Sequence, residues 1–553
     1  MLVSQFLESA QRAPEMPCLW AQVSGAWHGF SRGEVADASL RLAAWLVEQG
    51  VQSGDRVLLL MENRPEWAVV AIAVARMGAV LVPAYVTHQD DEIRYLLDRT
   101  EPKVCIASES LHTRLLDALA GREMRCLLVN EQDDSLFPQI VIATLDPSYP
   151  EPSQDQLYTL IATSGTNGVP KVAMLSHRNL ESNVQSVCQV LDEAGLLMPQ
   201  RFLSFLPLAH AYEHMAGLQL PLAIGGEIYY CERLDRLSTD MQVVKPTLMT
   251  AVPRLYELLY QKIQVQIAQE SEFKQTLFRK TLELGAKPTR RQSLAERVLN
   301  LICEQLVRKK VRQRFGGQLQ YFVSGGAALN PEIAQFFTSL GIGILQGYGQ
   351  TEASPVISVN RPRKVRIETV GPALPGVEVR LGPENELLVR GDLVMQGYWR
   401  DPDESAKAIQ DGWLHTGDLA AIDADGHIRI IGRVKDLIVN SGGENIAPAP
   451  IEQDLVFHSD VEQAVLVGDG KPWLSALLVL SESALQTGQD HASIVRDVLR
   501  AANDGKPAYL QVRKAIVLAE PCTIENGLLT PTHKVKRQRV IALHQAEIDA
   551  LYR

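Results

Sequence analysis

One stretch of this chain, Thr163-Ser164-Gly165-Thr166-Asn167-Gly168-Val169-Pro170-Lys171, gathers hydroxyls, two glycines and a lysine into nine residues. Glycine lets backbone N–H groups turn toward one point and approach a phosphate closely. The hydroxyls add donors and the lysine adds a mobile cation, so a polyphosphate is the ligand such a loop suits. It is not the Gly-x4-Gly-Lys-Ser/Thr loop, because Val169 and Pro170 separate glycine from lysine and Val172 stands where a Mg²⁺-binding hydroxyl belongs. A second segment, Gln346-Gly347-Tyr348-Gly349-Gln350-Thr351-Glu352, offers close backbone approach and an aromatic face for a purine. Its Thr351 and Glu352 suit a phosphate and its Mg²⁺. In a third, Gly412-Trp413-Leu414-His415-Thr416-Gly417-Asp418-Leu419, an aspartate after a glycine turn suits the two hydroxyls of a ribose. A charged break, Gly432-Arg433-Val434-Lys435-Asp436, follows between two apolar strands.

The elements around these segments are those of an α/β protein. Short, nearly all-apolar runs (Arg56–Met61, Ala79–Val82, Lys103–Ala107, Arg125–Val129 and Leu157–Ala162) alternate with helical segments and predict strands buried on both faces. The glycine-rich loop opens at the carboxyl end of the last of them, where open α/β sheets bind ligands. Pro65 to about Met77 predicts a buried helix. Beyond residue 370 the texture turns strand-rich and Gly-punctuated (Glu378–Leu381, Glu386–Val389, Ile428–Ile431), predicting a β subdomain. After the break, strands at Ala464–Val467 and Ser475–Leu480 and a helix at His491–Asn503 predict a separate α+β unit. Between Arg254 and Arg314 long helical periodicity carries fourteen Lys/Arg against six Asp/Glu, a net of +8. That segment reads either as a solvated helical hairpin covering the sheet or as a basic surface near a membrane or an anionic cofactor.

A chain of 553 residues exceeds one core and predicts two or more domains. With 46% apolar and 22% charged residues it reads as an ordinary globular protein rather than a disordered one. The net charge of −11 argues against general nucleic-acid binding. Seven cysteines, all isolated from one another in sequence, suit a reducing cytosol and offer neither a zinc site nor a disulfide framework. The first residues carry neither a basic region nor an apolar core, so no signal peptide is expected. The most apolar window, Trp67 to Tyr85, has Arg76 at its middle. A charge there costs roughly 2.5–3.5 kcal/mol on insertion scales. No transmembrane segment is therefore expected.

In this order the segments resemble the AMP-forming acyl-CoA synthetase superfamily, the adenylate-forming enzymes, over nearly the whole chain. The resemblance implies a large N-terminal α/β body with a β subdomain (1–433) and a small mobile C-terminal α+β lid (434–553). It implies that Thr163, Ser164, Gly165, Thr166, Asn167, Gly168 and Lys171 hold the β- and γ-phosphates of ATP. Gly325, Gly326 and Ala327 would line the adenine with Gln346, Gly347, Tyr348 and Gly349. Thr351 would touch the α-phosphate, Glu352 would bind Mg²⁺, and Asp418 with Arg433 would hold the ribose. Lys435 would mark a hinge. In Leu529-Thr530-Pro531-Thr532-His533-Lys534-Val535-Lys536-Arg537, which matches the family's last motif, Lys534 would be the mobile catalytic lysine. Pro207-Leu208-Ala209-His210 is similar to the corresponding stretch of long-chain fatty acyl-CoA synthetases, where His210 would border the acyl carboxylate. The implied reaction activates a medium- or long-chain fatty acid to acyl-AMP and passes it to coenzyme A, in the cytoplasm, with peripheral membrane contact open. A fatty acyl-AMP ligase loading a carrier-protein thiol, and a pseudoenzyme binding nucleotide or acyl groups without turnover, are the alternatives. Three positions depart from the pattern. Asn167 replaces a threonine, Val172 replaces a glycine and is expected to shift the loop, and Glu444 stands where some relatives carry a CoA-facing basic residue.

Overall fold

The computed structural model describes residues 1–130, 135–140, 145–146, 149–163, 170–197, 200–530 and 535–553. Two large sheets form its body. In the six-stranded sheet the order is Arg125–Val129, Val104–Ser108, Arg56–Leu60, Val80–Ala84, Leu157–Thr163, Lys171–Ser176; all neighbours are parallel except the last pair. The eight-stranded sheet runs Val356–Val359, Gly343–Gly349, Tyr321–Ser324, Leu248–Ala251, Arg201–Ser204, Glu227–Tyr230, Pro17–Val23, Ala26–Ser31, with antiparallel pairs only at its two edges.

Helices fill the faces for local reasons. Pro65–Arg76 starts with proline at its first position, where the missing N–H costs nothing. All twelve of its residues are buried, and Gly78 (φ +69°) ends it in a left-handed turn that a side chain would strain. Arg76 is kept inside by carbonyls, donating to Tyr149 O (3.0 Å) and Pro150 O (3.3 Å). A buried, hydrogen-bonded arginine explains how so apolar a window belongs to a core rather than a bilayer. Among the described residues no helix is long and apolar enough to cross a membrane. The strand expected at Ala79–Val82 lies one to two residues further on, at Val80–Ala84.

The basic segment forms helices Pro253–Ala268, Glu272–Ala286, Leu294–Cys303 and Lys309–Arg314, more than a single hairpin. Tyr256, Phe278 and Phe315 join the core beneath the eight-stranded sheet, and Cys303 is buried too. A five-stranded antiparallel sheet follows, built around the long strand Trp413–Ile422, which pairs with Glu386–Arg390, Ile409–Gln410 and Ile428–Arg433. The last part has its own core around Val461–Val467, Leu474–Leu480 and Val512–Val517, with helices Pro448–Phe457 and His491–Asn503. It touches the body where Arg254 pairs with Glu462 (3.1 Å), Gln453 donates to Ala328 O (2.8 Å), and the Tyr260 and Phe457 rings lie 5.9 Å apart.

Candidate functional site

The glycine-rich loop is the connection of a hairpin. Leu157–Thr163 and Lys171–Ser176 pair antiparallel, with Thr163 opposite Lys171. Ser164, Gly165, Thr166, Asn167 and Gly168 lie outside the described residues. The base of the loop is fixed by Thr163 Oγ1 donating to Lys171 O (3.3 Å) and by Tyr95 Oη donating to Pro170 O (2.5 Å). No helix starts directly after the lysine, so any anion held here relies on loop donors and Lys171 rather than a helix dipole. Val172 belongs to the return strand opposite Ala162, only 1% exposed and packed with Leu160. Its branched side chain is therefore a core contact, and its carbonyl accepts from Trp399 N (2.7 Å); the shift expected of the loop falls on residues outside the described ones.

Lys171 Nζ forms an ion pair with Glu404 and sits 4.8 Å from the centroid of the Tyr398 ring. Hydrogen bonds from Lys171 and then Lys407 hold the Glu404 carboxyl down at about 2. On its other side Tyr398 Oη donates to Glu352 Oε1 (2.8 Å). Burial, then the charge of Glu352, raises the Tyr398 phenol far above its usual range and keeps it a donor. One tyrosine thus bridges the loop's lysine and the acid of the second segment. Neither Tyr398 nor Glu404 was among the sequence candidates; Gly397-Tyr398-Trp399 was the visible signal, a glycine beside two aromatics.

The second segment runs along the strand Gly343–Gly349 and turns into a short helix at Thr351–Ala353. Gly349 must be glycine: a Cβ there would lie 1.8 Å from Pro355 O. The Gln346 amide is already engaged, donating to Ile367 O (2.5 Å) and accepting from Leu329 N (3.4 Å), so it braces the loop after the neighbouring strand. Tyr348 Oη donates to Asp418 Oδ2 (2.5 Å), and Arg433 Nε donates to Asp418 Oδ1 (2.8 Å) across paired strands. Burial, then Asp418, raises the Tyr348 phenol strongly. For Arg433 burial opposes the charge but Asp418 outweighs it, moving its pKa upward. Tyr348 and Glu352 stand on one strand and the short helix directly after it, so the Lys171–Tyr398–Glu352 group and the Tyr348–Asp418–Arg433 group adjoin.

A third group joins His210 to the glycines after the strand Tyr321–Ser324. His210 caps the short helix Ala211–Glu213, its Nδ1 accepting from Tyr212 N (3.2 Å), and its ring lies 6.5 Å from that of Tyr85. Tyr212 Oη reaches Val323 O (2.8 Å), and its ring leaves so little room that a Cβ on Gly325 would meet it at 3.0 Å. Gly326 and Ala327 are exposed beside it. Lys435 is exposed in the turn Val434–Asp436 just past Arg433. Lys534 lies outside the described residues. Nearby, Lys536 is close enough that its charge adds to the downward shift of His88, a buried histidine of the body. Burial leads that shift, and Glu92 and Asp91 oppose it, leaving His88 at about 4.

Beneath His210 sits a carboxyl that sequence reading passed over. Glu213 is fully buried, accepting from Ser204 Oγ (2.7 Å) and Thr250 Oγ1 (2.7 Å). These hydroxyls stand on adjacent parallel strands, Arg201–Ser204 and Leu248–Ala251, where the strand order reverses direction. Open α/β sheets form their crevice at such a reversal. Burial lifts the Glu213 carboxyl to about 7, partly offset by the bonds from Thr250 and Ser204. Gly217, one turn on, makes the space: a Cβ there would fall 2.2 Å from Glu213 Oε1. The signal was an acid three residues after His210 with a glycine four further on, but nothing in that spacing said which way the acid faces.

The AMP-binding enzyme family matches residues 6–399, and its C-terminal domain, the AMP-binding enzyme C-terminal domain, matches 435–553. A long-chain-fatty-acid–CoA ligase, FadD15 of Mycobacterium bovis, is 31% identical over 96% of this chain and 93% of its own length. The peroxisomal long chain acyl-CoA synthetase 7 of Arabidopsis thaliana is 30% identical over 96% of this chain and 82% of its own. Among solved structures, ATP-bound MatB from Rhodopseudomonas palustris superposes with a TM-score of 0.76 at 23% identity, covering 98% of both chains, and shares the fold. The class is that of an α/β body with an appended C-terminal domain. The chain belongs to the AMP-binding enzyme family.

Proposed function

We propose that this protein joins a medium- or long-chain fatty acid to coenzyme A in two half-reactions. The carboxylate attacks the α-phosphorus of ATP to give acyl-AMP and pyrophosphate. The coenzyme A thiol then attacks the acyl carbon, loses its proton, and releases AMP. One observation carries the reading: Tyr398 joins Lys171 to Glu352 while Tyr348 and Arg433 aim Asp418, so groups suited to polyphosphate and ribose adjoin. Relatives named for long-chain fatty acids over most of their length support the acyl substrate.

In this reading Thr163, Lys171 and the 164–168 loop receive the β- and γ-phosphates and Thr351 the α-phosphate. Gly325, Gly326 and Ala327 flank the adenine beside Tyr348, and Gln346 acts by bracing that loop. Asp418 and Arg433 take the ribose, and His210 borders the acyl carboxylate. Glu352 suits Mg²⁺: among the described residues no cluster of three or more His, Cys, Asp or Glu could hold a metal, and Mg²⁺ is commonly carried by one carboxylate plus substrate phosphates. The ion supplies charge neutralisation as the two anions meet. We assign residues 434–553 as a lid that turns at Lys435, with Lys534 serving adenylation only. The Arg254–Glu462 ion pair and the Gln453–Ala328 hydrogen bond support a lid docked on the body. The seven free cysteines suit the cytoplasm. AMP formation with ATP across a panel of acids, with and without coenzyme A, tests this. Release of AMP that needs coenzyme A and a long acyl chain supports it. Acyl-AMP that accumulates despite coenzyme A would transfer the reading to a carrier-protein acceptor, and no adenylate from any acid would leave only a binding protein.

A further inference from the structure

We propose that the helix Leu294–Cys303 and the turn that follows it form a docking face for an anionic lipid bilayer. The stretch is anchored at its far end: Cys303, the helix's last residue, is fully buried, and beyond it Val307 and Val311 pack against the core. The helix and the turn after it carry an apolar row on the outside. Leu294 is 81% exposed, Val298 60%, Leu301 69%, Ile302 45% and Leu306 48%. Steps of four, three, one and four residues keep these on one helical face, so the row is a continuous stripe. Its area is on the order of several hundred Å², as large as the largest apolar patch an ordinary monomer exposes.

Charge selects the occupant. Arg290 and Arg291 lie at one end of the stripe, and Lys309 and Lys310 at the other. All four are exposed, and none makes an ion pair among the described residues. The acids of the same stretch are neutralised locally: Glu296 by Lys287 (2.7 Å) and Glu304 by Arg312. An apolar stripe with cations at both ends is the pattern of a helix that lies in a membrane interface, apolar side down and basic ends among anionic headgroups. A second copy of this chain suits it less, since docking stripe to stripe would face two segments of +8 against each other. The purpose of such docking rests on the fatty-acid reading, because long-chain acids partition into bilayers; the binding itself does not.

Sedimentation with sucrose-loaded vesicles tests it, using phosphatidylcholine alone or mixed with phosphatidylglycerol, at low and high salt. The parent should bind the mixed vesicles, and high salt should release it. The triple variant Leu294→Asn, Val298→Asn, Leu301→Asn and the fourfold reversal of Arg290, Arg291, Lys309 and Lys310 to Glu should each lose binding by roughly tenfold or more. All these positions are exposed, so the parent's melting temperature and turnover on a short, soluble acid should persist. Parent protein that ignores the mixed vesicles, or variants that bind like the parent, would overturn the proposal. So would a parent dimer, seen by sedimentation equilibrium, that the triple variant dissociates while vesicle binding stays unchanged. Loss of turnover on every acid would remove the fatty-acid reading and leave the vesicle result standing.

Discussion

Replacing Glu213 by glutamine should change how the stability of the body responds to pH. The native protein keeps the Glu213 proton up to about pH 7, whereas the ordinary value is 4.5. Between those values the native state binds more protons than the unfolded chain. Its stability therefore falls as pH rises across that window and levels off above it. A difference of about 2.5 pH units corresponds to about 3 kcal/mol. Glutamine has nearly the same shape, stays neutral, and can still meet Ser204 and Thr250, whose hydroxyls can donate or accept. At pH 5 the two proteins should have similar unfolding free energies in urea. By pH 8 the Glu213→Gln protein should be the more stable by an amount approaching 3 kcal/mol. The other titrating groups are common to both proteins, so the difference between the two curves isolates residue 213. Parallel curves from pH 5 to 8, or a variant destabilised most at pH 8, would refute the assignment of a buried, easily protonated carboxyl at the sheet's reversal point.

Lys534→Ala should cut acyl-AMP formation by about 10²–10³-fold while preformed acyl-AMP still reacts with coenzyme A, because a lysine that neutralises developing charge acts only in the first half-reaction. Equal losses in both halves would reject that role. Lys435→Pro, which fixes φ where the lid is proposed to turn, should slow thioester formation more than adenylation; a hinge elsewhere would slow neither selectively. Tyr398→Phe removes the 2.8 Å bond to Glu352 and should raise the Mg²⁺ concentration for half-maximal AMP formation by roughly tenfold. An unchanged Mg²⁺ dependence would separate Glu352 from the metal.

What could be read from sequence divides along the range of the interactions involved. Strands buried on both faces announce themselves as unbroken apolar runs, and Leu157–Thr163 and Arg125–Val129 stand nearly where their runs predict. The strand expected to end at Val82 runs through Pro83 to Ala84, because its pairing toward Leu157–Thr163 is confined to Leu81, leaving no ladder on that side for proline to interrupt. The second and third segments hold their polar candidates in contiguous residues, so Asp418, Glu352 and Tyr348 could be nominated without a structure. What joins them could not. Lys171 meets Glu404 across 233 residues and Glu352 meets Tyr398 across 46, and no periodicity encodes such pairings. The stripe at Leu294–Leu306 was hidden for a different reason. Its residues run directly into the inward set of Cys303, Val307 and Val311, and such a run of apolar residues at helical spacing reads in sequence as one that is merely well buried. Only the fold decides which of the two rows has a partner. The unpartnered row and the unneutralised cations at its ends therefore carry information that the net charge of the segment could not.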